Sequence, residues 1–175
     1  MFTVPFDANY ELDLQARIFK KKAVEMLKKN LDWVQIIPHG LTHMQDEFLR
    51  ADKDSTRLAL KAIDEIFTKD KIPYEKGFKP PYWRWNQDVV DVLNEEGWWG
   101  AIDERLPMLK TKKFYKYDFL IHEPFWLSEK DVVRIHGHID GKSDNDIEKS
   151  FLYLMKMPSD VEFHFVTDYL ESKVD

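Results

Sequence analysis

The sequence predicts an α/β fold in which parallel strands are joined by crossover helices. Strand-like and helix-like periodicities alternate along most of the chain, with six or seven strand candidates. No internal repeat, linker or low-complexity segment interrupts that alternation. The 175 residues suit one domain with a sizeable core and not comfortably two, so residues 1–175 are expected to form a single domain.

Each element has its own signal. "FTVPF" (2–6) alternates as a short strand. "ELDLQARIFKKKAVEMLKKN" (11–30) reads as a helix with Phe19, Ala23 and Leu27 on one face. "DWVQIIP" (32–38) is a strand closed by proline. A helix is expected over 54–69, capped by Asp54 or Ser55, with a stripe of Leu58, Ala59, Ala62, Ile63, Ile66 and Phe67. "GFKPPYW" (77–83) is extended because its prolines exclude helix. Asn86 caps and Gly97 stops a helix over 86–97, and "WWGAID" (98–103) follows as a strand. Residues 104–131 carry no clear pattern beyond a candidate strand at "YDFLIH". "DVVRIHGHI" (131–139) is a strand, "DNDIEKSFLYLMKM" (144–157) a helix and "VEFHFV" (161–166) a final strand.

Composition excludes several classes of function. The net charge of −6, from 26 basic and 32 acidic residues, is opposite to what phosphate-driven nucleic-acid binding favours. The basic runs in "FKKKAVEMLKKN" and "LKTKKFYKY" read as solvated faces. No cysteine is present, so any metal must be held by His and carboxylates. No stretch approaches ~20 apolar residues, and no membrane partner is expected. The N-terminus has no signal-peptide pattern, so a cytoplasmic location is expected, though the chain begins close to a strand and a segment upstream of it is also expected.

Three clusters carry the chemistry. "HGLTH" (39–43) puts His39 and His43 on the loop after a strand, where parallel α/β folds build their sites. Two His with a carboxylate leave coordination positions of a divalent metal open, but the same pair also suits structural or solvated histidines. "KGFKPPYWRWN" (76–86) is either a rigid turn with Trp83 and Trp85 in the core, or a stiff loop that presents its aromatics and backbone N–H groups to a ligand. In "RIHGHI" (134–139), strand alternation puts Arg134, His136 and His138 on one face, on a wet surface or at a shared site.

In this order, "HGLTH", "FKPPYW" and "RIHGHI" resemble the polysaccharide deacetylase (NodB-homology) family, over nearly the whole chain from "FTVPF" to "VEFHFV". The resemblance implies a distorted barrel of about seven parallel strands with helices outside. It implies a divalent metal, usually zinc, bound by Asp, His and His, with His39 and His43 as the histidines. It implies hydrolysis of an N-acetyl group on a sugar or polysaccharide. "KPPY" (79–82) matches the motif in which the Tyr82 backbone N–H polarises the acetyl carbonyl, with Lys79 where the family has Arg. His138, or else His136, matches the late histidine that acts as general acid. Trp83 and Trp85 are candidate stacking residues for a pyranose ring.

The family's early "TFDD" motif, source of the catalytic base and of the aspartate ligand, has no clear counterpart. "FTVPFDANY" resembles the family's second strand, which makes the barrel incomplete and its open edge a place for a second copy to pair. Asp7 is the candidate substitute ligand or base. Lys79 keeps a positive charge but not the planar fork of Arg. Glu47 and Asp103 also lie beside expected strand ends. Two alternatives follow: an inactive glycan-binding or regulatory protein of this fold, and a metal hydrolase acting on another small molecule.

Overall fold

The computed structural model describes residues 2–3, 21–69, 71–102, 114–137 and 144–172. The chain divides into two compact units, Met1–Tyr115 with Leu170–Asp175, and Lys116–Tyr169.

In the first unit, β1 (Phe2–Thr3) pairs in parallel with β2 (Ile37–Pro38), and α1 (Lys21–Lys28) lies between them in the chain. After α2 (Lys53–Lys69), β3 (Gly77–Phe78) returns beside β2: the Glu75 N–H donates to Ile36 O at 2.9 Å and the Lys79 N–H to Pro38 O at 3.1 Å. A tight turn over Pro81–Trp83 leads to α3 (Gln87–Glu95) and to β4 (Trp99–Ile102), which is parallel to β3. β5 (Phe114–Lys116) follows β4 in the same sheet. β1 to β4 are thus neighbours in chain order, with a helix in each crossover. The class is mixed α/β with parallel sheets, as expected, but the pairing of the described residues does not close a seven-stranded barrel.

The helices pack through faces that differ in part from the expected ones. α2 begins one residue early because Asp52, not Asp54 or Ser55, caps it. The Ser55 N–H donates to Asp52 Oδ1 at 2.8 Å, and the Asp52 N–H donates back to Ser55 Oγ at 2.9 Å. Its buried stripe is Thr56, Leu60, Ile63 and Phe67, while Leu58 points outward, 68% exposed. Asn86 caps α3 as expected, accepting from the Val89 N–H. Gly97, at φ 74°, stops it, and the Trp98 N–H closes the end on Leu93 O. Between helices and strands lies a core of Leu27, Ile36, Phe48, Phe78, Trp85, Val89 and Val92 with Leu60, Ile63 and Phe67 of α2. The Phe19 and Ala23 side chains of the expected first helix lie outside the described residues.

In the second unit, β6 (Phe119–Leu120) pairs in parallel with β7 (Ile135–His136). A short turn over Phe125–Leu127 and the helix α4 (Asp144–Leu154) complete it, and Trp126 packs on Tyr153 with ring centroids 4.2 Å apart. The expected strand over 161–166 is not formed. Val161 closes a turn on Pro158, Phe163 is 76% exposed, and the chain enters α5 (Val166–Glu171). Among the described residues no helix is long and apolar enough to cross a membrane.

Candidate functional site

The Glu75 and Lys79 hydrogen bonds to Ile36 O and Pro38 O set β3 beside β2 and bring the loops that follow them to the same edge. β2 runs into His39 and Gly40; β3 runs into Lys79, Pro80 and Pro81. His39 and Lys79, 40 positions apart, consequently meet side by side, 7% and 2% exposed. His39 Nδ1 lies 2.8 Å from the Lys79 carbonyl oxygen. A carbonyl only accepts, so Nδ1 carries the proton and Nε2 the lone pair. The Lys79 ammonium donates to that lone pair at 3.2 Å, and its Nζ lies 4.4 Å from the centre of the Trp83 ring.

His43 completes the corner. Its ring meets His39 edge-on at 4.9 Å and Tyr82 at 5.2 Å. Tyr82 is 47% exposed, so the corner runs from a buried His–Lys pair to an aromatic ring in solvent. Backbone strain collects here: His43 (φ 59°), Tyr82 (φ 54°) and Trp83 (φ 60°) are all left-handed without being glycine. The two prolines hold the chain extended up to Pro80, and the fold then forces a turn where the sequence predicts continued extension. In that turn the Trp83 N–H bonds Pro80 O and the Arg84 N–H bonds Pro81 O, while the Tyr82 N–H donates to no acceptor among the described residues.

Glu47 staples the histidine loop. Its Oε1 accepts from the Leu41 N–H at 2.7 Å and the Thr42 N–H at 3.1 Å, and Oε2 accepts from Thr42 at 3.2 Å. This is a turn-holding role. Gly40 is required by the same packing. It takes φ 82°, and a Cβ there would lie 2.5 Å from Pro81 Cγ and 2.9 Å from Glu47 Oε2.

Trp83 is 9% exposed and Trp85 2% exposed. Trp85 packs in the core on Phe78, with ring centroids 6.4 Å apart, and bridges its backbone to Phe48. Of the aromatics in this stretch, Tyr82 is the one that faces solvent.

His136 belongs to the second unit. It is 7% exposed, not on a wet face, and stacks on Tyr117 at 5.2 Å. The same unit contains a clasp that sequence reading missed. The Asp118 carboxylate accepts from Arg134 Nε and Nη2, both at 2.8 Å, from the Arg134 N–H at 3.0 Å and from Lys130 Nζ at 2.6 Å. Hydrogen bonding from the Arg134 side chain, then from Lys130, holds the Asp118 carboxyl well below the usual carboxylate range. Asp118 sits within "YDFLIH", where only the apolar pattern drew notice. Asp7, His138 and Asp103 lie outside the described residues.

A neutral His39 with Nδ1–H fixed on a carbonyl is the tautomer that a metal-ligating histidine adopts, and His43 stands beside it. The Nε2 lone pair of His39 is engaged by the Lys79 ammonium in this arrangement. Among the described residues no group of three His, Asp or Glu side chains gathers, so these residues by themselves do not make up a metal site.

No known protein family and no curated protein sequence matches the chain. Among solved structures, the Xyl-CE4 domain of a multidomain xylanase from the hindgut metagenome of Trinervitermes trinervoides resembles it with a TM-score of 0.58. The two are 10% identical, and the match covers 88% of this chain and 72% of that one. At that identity the likeness is one of fold: the chain folds like the Xyl-CE4 domain.

Proposed function

We propose that the chain is a metal-dependent hydrolase of the polysaccharide-deacetylase type, which removes N-acetyl groups from a sugar or polysaccharide. One observation carries this reading. The "HGLTH" and "KPPYW" loops, far apart in sequence, converge through the His39–Lys79 pair at one end of parallel strands. The fold likeness to a xylanase's Xyl-CE4 domain supports a carbohydrate substrate, and the chain order of β1 to β4 supports a barrel-like arrangement.

In this reading His39 and His43 hold a divalent ion, zinc in the first instance, with Asp7 as the candidate third donor. When bound, the ion supplies Lewis-acid polarisation of the acetyl carbonyl. The chain's own residues do the rest. The Tyr82 N–H, without an acceptor among the described residues, donates to the acyl oxygen as negative charge develops there. A carboxylate base takes the proton of the attacking water, a role that falls to Asp7 where it is not itself the third donor, and His138, or His136 in its place, protonates the leaving amine. The exposed ring of Tyr82 offers a stacking face for a pyranose, while Trp83 and Trp85 are buried.

The test is acetate release from chitooligosaccharides by the wild type and by His39→Ala, Asp7→Asn and His138→Ala. Loss of a general base or acid is expected to lower turnover by about 10²–10⁴-fold. Turnover that survives all three substitutions refutes the assignment.

A further inference from the structure

His39 Nε2 is the nitrogen on which the metal reading depends, and it already faces a cation. We infer that Lys79 is an internal cation that competes with a divalent metal for the Nε2 lone pair of His39. The inference rests on the assignment of His39 and His43 as metal donors.

A zinc ion bound by histidine sits about 2.0–2.1 Å from the nitrogen along its lone pair. Lys79 Nζ is 3.2 Å from the same nitrogen, so an ion in that direction would fall roughly 1 Å from the ammonium. Both cannot occupy the lone pair, and two positive charges that close repel strongly in a site shielded from water. Withdrawal of the lysine is obstructed. The residue is 2% exposed and its ammonium lies over the Trp83 ring. Its backbone is fixed at both ends, the N–H on Pro38 O and the carbonyl on His39 Nδ1. Moving the ammonium off Nε2 therefore means giving up the Trp83 contact within a packed interior. The neutral tautomer of His39 is held whichever cation is present, because the Lys79 carbonyl sets it from the other side of the ring.

Lys79→Met tests this. Methionine is unbranched and apolar, close to the lysine stem in length, and packs well against an aromatic ring. Zn²⁺ and Co²⁺ binding to the full chain would be measured by calorimetry, with the visible spectrum of Co²⁺ reporting nitrogen ligation. Lys79→Met is expected to bind both ions more tightly than wild type, on the order of tenfold or more, as removal of a nearby like charge requires. The gain should vanish in Lys79→Met combined with His39→Ala. Equal affinity in wild type and Lys79→Met overturns the inference while leaving the metal reading intact, provided that binding still needs both histidines. Zinc binding that is unchanged in the His39→Ala, His43→Ala double variant removes the metal reading, and this inference with it. Should Lys79→Met fold poorly, imidazole and lysine NMR on wild type decides. Zinc must shift His39 Nε2 and the Lys79 ε-CH₂ resonances in step, and a shift of Nε2 alone overturns the competition.

Discussion

Glu47→Ala should loosen the histidine loop by a calculable amount. The carboxylate serves two backbone donors: the Leu41 N–H at 2.7 Å, and the Thr42 N–H, shared between its oxygens at 3.1 and 3.2 Å. A hydrogen bond to a charged group contributes about 1.5–3 kcal/mol. The site is only partly buried, so water takes up both N–H groups after truncation, and the low end of that range applies. The expected loss is about 2–3 kcal/mol. In a chain of this length each kcal/mol lowers Tm by roughly 2–4 °C, which gives a drop of about 4–12 °C. Glu47→Gln keeps an oxygen for both donors and gives up the charge, so it should lose about half as much. Thermal unfolding followed by near-UV circular dichroism of the three proteins is the assay. Glu47→Ala within about 0.5 kcal/mol of wild type, the range of an ordinary surface substitution, would refute the staple. So would Glu47→Gln no more stable than Glu47→Ala.

Other perturbations act on the frame around the site. Asp118 has a folded-state pKa below its unfolded value, so its contribution is present above about pH 4 and is lost as pH falls below that. Asp118→Asn should cost roughly 2–3 kcal/mol at pH 7 and flatten the acid limb of stability measured by urea unfolding. An acid limb with wild-type slope would refute this. Asn86→Ala removes the cap on Val89 and the amide donor to Leu49 O and Ala51 O, for a loss of about 2 kcal/mol. Asn86→Ser keeps the cap alone and should fall between, as read by urea midpoints. Gly100→Ala would drive a methyl to 2.5 Å from Trp85 Cη2, and overpacking of that kind should lower stability by about 1–3 kcal/mol, seen as a lower Tm.

Local chemistry made some elements legible in the sequence. Asn86 before an apolar run and Gly97 after it marked α3 because capping and left-handed termination depend on residues within one turn. The buried face of α2 differs from the expected one for the opposite reason. Leu58 and Leu60 are equally apolar, and only the partner across the core decides that Leu60 turns inward. "VEFHFV" alternates as a strand does, but alternation needs a neighbouring ladder, and none pairs with it among the described residues. At the site, the "HGLTH" and "KPPYW" motifs marked the two loops that meet. The cation on His39 was not legible, because no spacing rule links residues on separate parallel strands.

That same separation bears on how the molecule is made. The His39–Lys79 contact encloses 40 positions of chain, and parallel pairing means that α2 and the return to β3 must be in place before it can form. Closing a loop of that length has an entropic cost that is recovered only once the strands have docked, so contacts of this kind form slowly. During synthesis the imidazole of His39 leaves the ribosome well before Lys79 does. Throughout that interval it is an ordinary solvated base. Its buried character and fixed tautomer arrive together, when the crossover completes, so the corner acquires its chemistry as a late event of folding.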